Sequence, residues 1–386
     1  MPQWLADVLG DAVRYVRSAG DPYEIVAYRG YANDSRALVH GRVLESPNVA
    51  PAGADDSLWR NLVNTAKRAE ADPVPHARVL VSIAGVEREV VADDEGFFRE
   101  WIDFPELPAA QGQWREVELR LLAPLRANQP DVRATGQLQA PETSASFGVI
   151  SDLDDTVIQS RITNFLQAVR TVMLGNARTR LPFPGVAALY EALRRGGDGA
   201  RHNPIFYVSS SPRNIYDIIV DFLDLQKIPP GPIMLRNLDI ELSALTSGRL
   251  RRHKEPLIRE ILDLYPALPF VLIGDNSQRD PEIYRSILDH YPGRILAIYI
   301  RNVDSHPERS ASLKALADEV VAAGSTLVLA DDSYAAALHA ADHGWITTEA
   351  LPAVQQEEKA DEGETGTKVD VPGVAEEPAA PTVVVE

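Results

Sequence analysis

From about residue 146 onward, short apolar runs alternate with amphipathic stretches: FGVISD, VAALYEALRRG, PIFYVSS, NIYDIIVDFLDL, PIMLR, EPLIREILDLY, FVLIGD, EIYRSILDHY and RILAIYIR. A last unit, TLVLADDSYAAALHAADHGWI, adds one strand and one helix. Apolar runs of strand length alternating with helical periodicity specify a parallel sheet flanked by helices, an α/β fold. In such sheets ligands lie beyond the carboxyl ends of the strands, so the residues that close each apolar run are the first to inspect.

Upstream the texture differs. Short alternating runs (EIVAYRGY, ALVHGRVLES, ARVLVSIAG, VEREVVADDEGFFREWIDF, REVELRLL, TGQLQA) are punctuated by Pro, Gly, Asn and Asp. They predict a β-sandwich-like antiparallel domain over 21–143, with a helical insert near 55–71. Residues 1–20 carry apolar side chains at helical spacing and predict one amphipathic helix. Asp93-Asp94-Glu95-Gly96 predicts a hairpin loop. Residues 144–350 form the α/β domain. Residues 351–386 hold nine acids and two lysines and no aromatic residue, and read as a disordered acidic tail.

The chain has 386 residues, enough for two or more domains. It has no cysteine, which removes disulfides, thiol catalysis and cysteine zinc sites. Its net charge is −18, of which the tail supplies −7. That balance argues against nucleic-acid binding. The N-terminal stretch does not read as a secretion signal, and no apolar run approaches the ~20 residues of a membrane span. A soluble cytoplasmic protein, with no transmembrane segment, is the expectation.

The strand ends carry the chemistry. The first run ends in Asp152-Leu153-Asp154-Asp155-Thr156, IFYV ends in Ser209-Ser210-Ser211-Pro212, and FVLIG ends in Asp275, followed by Asp280. Between them a basic run, Arg249 to Lys254, opens a helix. Three carboxylates behind a buried strand repel one another and need compensation. Asp152 and Asp275 would chelate a hard cation such as Mg²⁺, which favours carboxylate oxygens and suits a phosphate substrate. With the charge balanced, one carboxylate can attack phosphorus and form an aspartyl-phosphate. A second, two residues on, can protonate the leaving oxygen and later activate water. Lys254 and Ser209 would hold the phosphoryl oxygens.

These four motifs, in this order, resemble those of the haloacid-dehalogenase-like phosphatase superfamily. SDLDDTV, FLQAVRTVMLGNARTRLPFPGVAALY, FYVSSSPRNIYDIIVDFL and GDNSQRDPEIY resemble more closely the phosphatidate phosphatases of the actin-patch-protein type and their bacterial relatives, over about residues 145–345. YRGY and HGRVL are similar to that family's preceding β region. The resemblance implies a haloacid-dehalogenase-like Rossmannoid sheet with a small cap insert. It implies Asp152 as nucleophile and Mg²⁺ ligand, and Asp154 as general acid/base and, through its carbonyl, Mg²⁺ ligand. It also implies Ser209 and Lys254 on the phosphoryl group, Asp275 as Mg²⁺ ligand, Asp280 in support and Thr156 orienting the loop. Asp155 stands where the superfamily often has Gly and has no assigned role.

The expected function is Mg²⁺-dependent hydrolysis of a phosphomonoester, phosphatidate to diacylglycerol. The alternatives are the same chemistry on a phosphoprotein or nucleotide, or a membrane- or partner-binding adaptor with vestigial activity. Residues 161–180 hold four arginines and no acid. Their apolar face either packs on the sheet or meets an anionic membrane surface, which would make the enzyme peripheral to the membrane. About thirty residues separate the Asp152 loop from the next helix, too few for a large closed lid, so the site is expected to be open. Ser211 reads as the N-cap of the following helix, with Pro212 at its first position. His202, His290 and His306 read as surface residues, while His253 stays open.

Overall fold

The computed structural model describes residues 21–45, 71–106, 113–142, 144–154, 156–157, 183–199, 202–236, 253–277, 279–303, 307–363 and 383–385. The expectations placed on residues 1–20, on 55–71 apart from Ala71, on 161–180 and 249–252, on Asp155 and on His306 concern positions outside the described residues. The chain divides into two compact units, Met1–Ala140 and Pro141–Glu386.

Among the described residues of the first unit, nine strands form one hydrogen-bonded network: β1 (Tyr23–Ala27), β2 (Gly30–Ala32), β3 (Arg36–Glu45), β4 (Asp72–Pro73), β5 (Arg78–Ile83), β6 (Val86–Val91), β7 (Phe97–Asp103), β8 (Trp114–Ala123) and β9 (Arg133–Gln139). Every pairing is antiparallel except β2 with β9. The strands join into one network rather than two separate sheets. β3 pairs with β1, β2, β4 and β7 and is buried along nearly its whole length, whereas β8 alternates, turning Val117, Leu119 and Leu121 inward. Ala84 (φ 51) and Gly85 (φ 78) join β5 to β6 in a two-residue turn that matches the strand twist. The expected hairpin at 93–96 is corrected. Strand β6 pairs with β5 while β7 pairs with β3, so this loop links strands that are not partners. Its Asp93 still does turn chemistry, accepting hydrogen bonds from the amides of Glu95 and Phe97.

The second unit is a seven-stranded sheet with helices. Its elements are β10 (Gly148–Asp152), α1 (Val186–Arg195), β11 (Ile205–Pro212), α2 (Tyr216–Leu225), β12 (Ile233–Arg236), α3 (Lys254–Leu264), β13 (Phe270–Asp275), α4 (Asp280–His290), β14 (Ile295–Arg301), α5 (Pro307–Ala322), β15 (Thr326–Ala330), α6 (Ser333–Asp342), α7 (Leu351–Gly363) and β16 (Val383–Val385). The order is β12-β11-β10-β13-β14-β15-β16, parallel except for the antiparallel β15–β16 pair. Strands β10 and β13 are buried at every residue, as central parallel strands covered on both faces must be. The chain leaves β10 towards β11 and β12, then returns to the other side of β10 as β13. That reversal puts a crevice beyond the carboxyl ends of β10 and β13, where Asp152 and Asp275 stand.

The reading of 351–386 as a disordered tail is corrected over two stretches. Leu351–Gly363 is a helix whose Val354 is fully buried, and Val383–Val385 pairs with Leu327–Leu329 of β15. Composition misled here because a polar helix can dock through few side chains. Glu357 Oε2 accepts from the Ala188 amide at 2.7 Å, capping α1, whose own N-cap Gly185 has no side chain to do so. Among the described residues no helix is long and apolar enough to cross a membrane.

Candidate active site

Four predicted residues meet in a buried cluster at the crevice. Asp152 and Asp275 end neighbouring strands, and Lys254 and Asp280 each open a helix. Asp152, Asp275, Asp280 and Lys254 are all at most 3% exposed. Lys254 Nζ lies 2.9 Å from Asp152 Oδ1 and 2.6 Å from Asp280 Oδ1. A lysine at the first position of a helix opposes the helix dipole, so the two carboxylates must hold it there. Gly274 lets Asp280 come close: a Cβ at that position would stand 2.7 Å from Asp280 Oδ2.

Among the described residues the charges do not balance. Three carboxylates face one ammonium, and one oxygen from each of Asp152, Asp275 and Asp280 lies within 4.8 Å of the others. Both oxygens of Asp152 and Oδ2 of Asp280 are buried and make no hydrogen bond of good geometry. For Asp152 Oδ1 the Lys254 ammonium is close enough to pair in charge, yet poorly angled for a hydrogen bond. Orphaned buried carboxylate oxygens converging on one point fit a hard divalent cation. Asp280, expected only to support the site, is thus a full member of the acidic triad.

Burial first, and then the charges of Asp280, Asp154 and Asp275, push the Asp152 carboxyl well above the ordinary range, although Lys254 pulls the other way. Asp275 is pushed up to about 6, by burial and then by Asp280, although its Oδ1 accepts from the amide and hydroxyl of Ser277. Burial draws the Lys254 ammonium down, but Asp152 and Asp280 outweigh it and hold the group above its usual value. Thr156 Oγ1 reaches Asp275 Oδ2 at 3.5 Å, the outer edge of a hydrogen bond.

Asp154 lies apart from the triad, half-buried. Its Oδ2 accepts from Ser209 Oγ at 2.8 Å and its Oδ1 from Ser211 Oγ at 3.1 Å. The expected capping role of Ser211 is corrected. It belongs to β11, the short helical turn after it is capped by Pro212 without a side-chain bond, and its hydroxyl is spent on Asp154. His253 is not a surface residue. Its Nε2 lies 3.3 Å from the Ser209 carbonyl, which only accepts, so the proton is on Nε2. Burial pushes His253 down to about 4, so the ring stays neutral near pH 7. His202 and His290 are exposed.

Two supporting groups escaped the sequence reading. Asn276 donates to Asn302 Oδ1, and Asn302 donates to Asp331 Oδ1, each at 2.8 Å, tying together the ends of β13, β14 and β15. Asp331 directly follows an apolar run, and Asn276 and Asn302 stand one residue further on, after Asp275 and Arg301, so a strand-end rule widened by one position would have found all three. Ser151 Oγ donates to the Asp152 carbonyl and lies 2.6 Å from Tyr190 Oη, anchoring the strand end that bears Asp152 to α1.

Residues 147–302, which contain this whole cluster, match the family described as the catalytic domain of phosphatidate phosphatase APP1. Over 171 residues the chain is 31% identical to Phosphatidate phosphatase APP1 of Saccharomyces cerevisiae, covering 42% of this chain and 28% of the yeast protein. Over 161 residues it is 29% identical to an uncharacterized protein of Schizosaccharomyces pombe, covering 41% of this chain and 26% of that one. The chain therefore spans under a third of the length of these curated relatives. The closer resemblance, drawn from the stretches SDLDDTV, FLQAVRTVMLGNARTRLPFPGVAALY, FYVSSSPRNIYDIIVDFL and GDNSQRDPEIY, leads to the same family. Among solved structures, a carbohydrate acetylesterase from Xanthomonas citri aligns over 78% of this chain and 74% of its own at 13% identity, with a TM-score of 0.26, which is too low to carry an argument.

Proposed function

We propose that this chain is a Mg²⁺-dependent phosphomonoester hydrolase that converts phosphatidate, or a closely similar phospholipid, to diacylglycerol through an aspartyl-phosphate. The observation that carries the reading is the buried Asp152, whose oxygens make no hydrogen bond of good geometry among the described residues and which faces Lys254 and two further carboxylates. The match to the phosphatidate phosphatase family over 147–302 supports the substrate class. The same reading takes the parallel sheet as haloacid-dehalogenase-like and residues 144–350 as the catalytic domain, extended by the helix Leu351–Gly363.

Asp152, Asp275 and Asp280 would hold the cation, with the Asp154 carbonyl as a fourth donor. When bound, the cation neutralises the acids and the incoming phosphate and polarises the phosphoryl oxygens. Lys254, together with the bound cation, would favour the ionised form of Asp152, and Lys254 would offer its remaining donor capacity to a phosphoryl oxygen. A carboxylate oxygen of Asp152 attacks phosphorus, the ester P–O bond breaks, and the departing oxygen takes its electron pair together with a proton from Asp154. Asp154 then accepts a proton from water as the water oxygen attacks phosphorus. The bond to Asp152 breaks and its electron pair returns to the carboxylate.

The test is phosphate release from dioctanoyl phosphatidate and from p-nitrophenyl phosphate, with Mg²⁺ or with chelator, by wild type and Asp152→Asn. Release that needs both the metal and Asp152 is the expected result. Asp152-dependent release from the aryl phosphate alone would keep the chemistry and reject the lipid, pointing to a phosphoprotein or nucleotide. Vesicle binding without release from either substrate would reject catalysis in favour of an adaptor.

A further inference from the structure

Asp154 is held by a two-serine clamp, and the proton count of that clamp has a consequence for catalysis. Ser209 Oγ donates to Asp154 Oδ2 at 2.8 Å, while the same oxygen accepts from the Ser211 amide at 2.9 Å. Ser211 Oγ donates to Asp154 Oδ1 at 3.1 Å and lies 3.4 Å from Oδ2. A serine hydroxyl has one proton to give. Ser209 therefore cannot donate to a phosphoryl oxygen and to Asp154 at once. Its proton must leave the carboxylate when the phosphoryl group binds.

We propose that Ser211 is the positioning residue that keeps Asp154 aimed at the leaving oxygen once Ser209 has turned to the phosphoryl group. The inference rests on the functional reading above, in which Asp154 protonates the leaving group, and on the contact of Ser209 with the phosphoryl group that the motif resemblance implies. Three features point to Ser211 for this task. Its hydroxyl reaches both carboxylate oxygens, so it can follow a small rotation of the group. Its amide donates to Ser209 Oγ, so the Ser209 proton can swing while its oxygen stays in place. Both residues sit on β11, and His253 donates to the Ser209 carbonyl, which fixes the strand end that carries the clamp. A positioned general acid contributes most when the leaving group is a poor one and little when the departing anion is already stable.

The experiment compares kcat/KM, which reports steps up to phosphorylation of Asp152, for two substrates in wild type, Ser211→Ala and Ser211→Thr. Dioctanoyl phosphatidate has an alkoxide leaving group that needs its proton, whereas p-nitrophenyl phosphate does not. Ser211→Ala should lower kcat/KM for the lipid roughly ten- to hundredfold and for the aryl phosphate less than about threefold. The loss should appear in kcat rather than KM, and Ser211→Thr, which keeps a hydroxyl, should restore most of it. Equal loss on both substrates, loss confined to KM, or no loss on the lipid would overturn the assignment while leaving the hydrolase reading intact. Absence of Asp152-dependent release by wild type from both substrates would instead remove that reading and the inference with it. Circular dichroism of each variant separates misfolding from lost positioning. A misfolded Ser211→Ala leaves Ser211→Thr and Ser211→Asn to decide, and full lipid activity in the asparagine variant beside loss in the threonine one would count against the hydroxyl.

Discussion

The ammonium of Lys254 lies 2.6 Å from Asp280 Oδ1, joining the first residue of α3 to the first residue of α4. Both groups are buried, and a third, Asp152, shares the same ammonium at 2.9 Å. The start of α3 would not choose this arrangement by itself, since its dipole disfavours a cation there, whereas the dipole of α4 favours Asp280 at its first position. The site imposes it.

Removal of that ammonium is therefore expected to be costly. Lys254→Met leaves two buried carboxylates without their cation, and breaking such a pair typically costs about 3–5 kcal/mol. The loss should be smaller in millimolar Mg²⁺ than in chelator, because the metal supplies the missing charge. Urea denaturation of both proteins under both conditions checks this; equal losses in the two would deny the triad a cation.

The pH dependence of stability carries a sign. In the metal-free protein Asp275 is pushed up to about 6 from an ordinary 3.8. The folded state thus holds a proton that the unfolded chain releases, and this stabilisation is complete below about pH 3.8 and lost as pH rises through about 6. Asp275→Asn should flatten that part of the profile in chelator. Mg²⁺ should reverse it for wild type, since the metal binds the ionised form, giving about 2.7 kcal/mol at a hundredfold excess over Kd. Denaturation midpoints at pH 5 and 7, with and without metal, read both effects.

His253 contributes with the opposite slope. Burial lowers it to about 4 from 6.5, so the unfolded chain takes up the proton first. The stabilisation is complete above pH 6.5 and is lost as pH falls through about 4. His253→Gln can still donate to the Ser209 carbonyl and should remove the acid sensitivity in this window. A variant as acid-sensitive as wild type would show that the ring is not held neutral.

The docked C-terminal helix should matter for folding. Glu357→Ala uncaps α1 and is expected to cost about 1 kcal/mol. Glu357→Gln, which keeps an acceptor oxygen, should cost less. Truncation after Ala350 also removes the buried Val354 and should cost more than Glu357→Ala. Thermal melts of the three variants rank these effects; a truncation that melts like wild type would mean the helix adds nothing.

Much of this was legible locally. Strands β10, β11 and β13, the terminal Asp152 and Asp275, and the helix openings at Lys254 and Asp280 follow from apolar period and strand ends, which depend on near neighbours in the chain; β11, expected to end at Ser209, runs through it to Pro212. The helix Pro307–Ala322 was passed over, although Leu313, Ala317 and Val320 are buried at helical spacing. Small residues around them blunt the amphipathic contrast that reveals a helix.

Sequence by itself determined the alternation of strands and helices and the polar residues that close each strand, because both are written in consecutive residues. Only the tertiary structure decided that Asp280 completes a triad with Asp152 and Asp275, that Ser211 serves Asp154 rather than a helix, and that Glu357 caps a helix 169 residues away along the chain. Each of those is a contact between remote segments. Its partner is chosen by the packing of the sheet and its helices and by the need to satisfy buried charges and amides, and no local pattern encodes that choice.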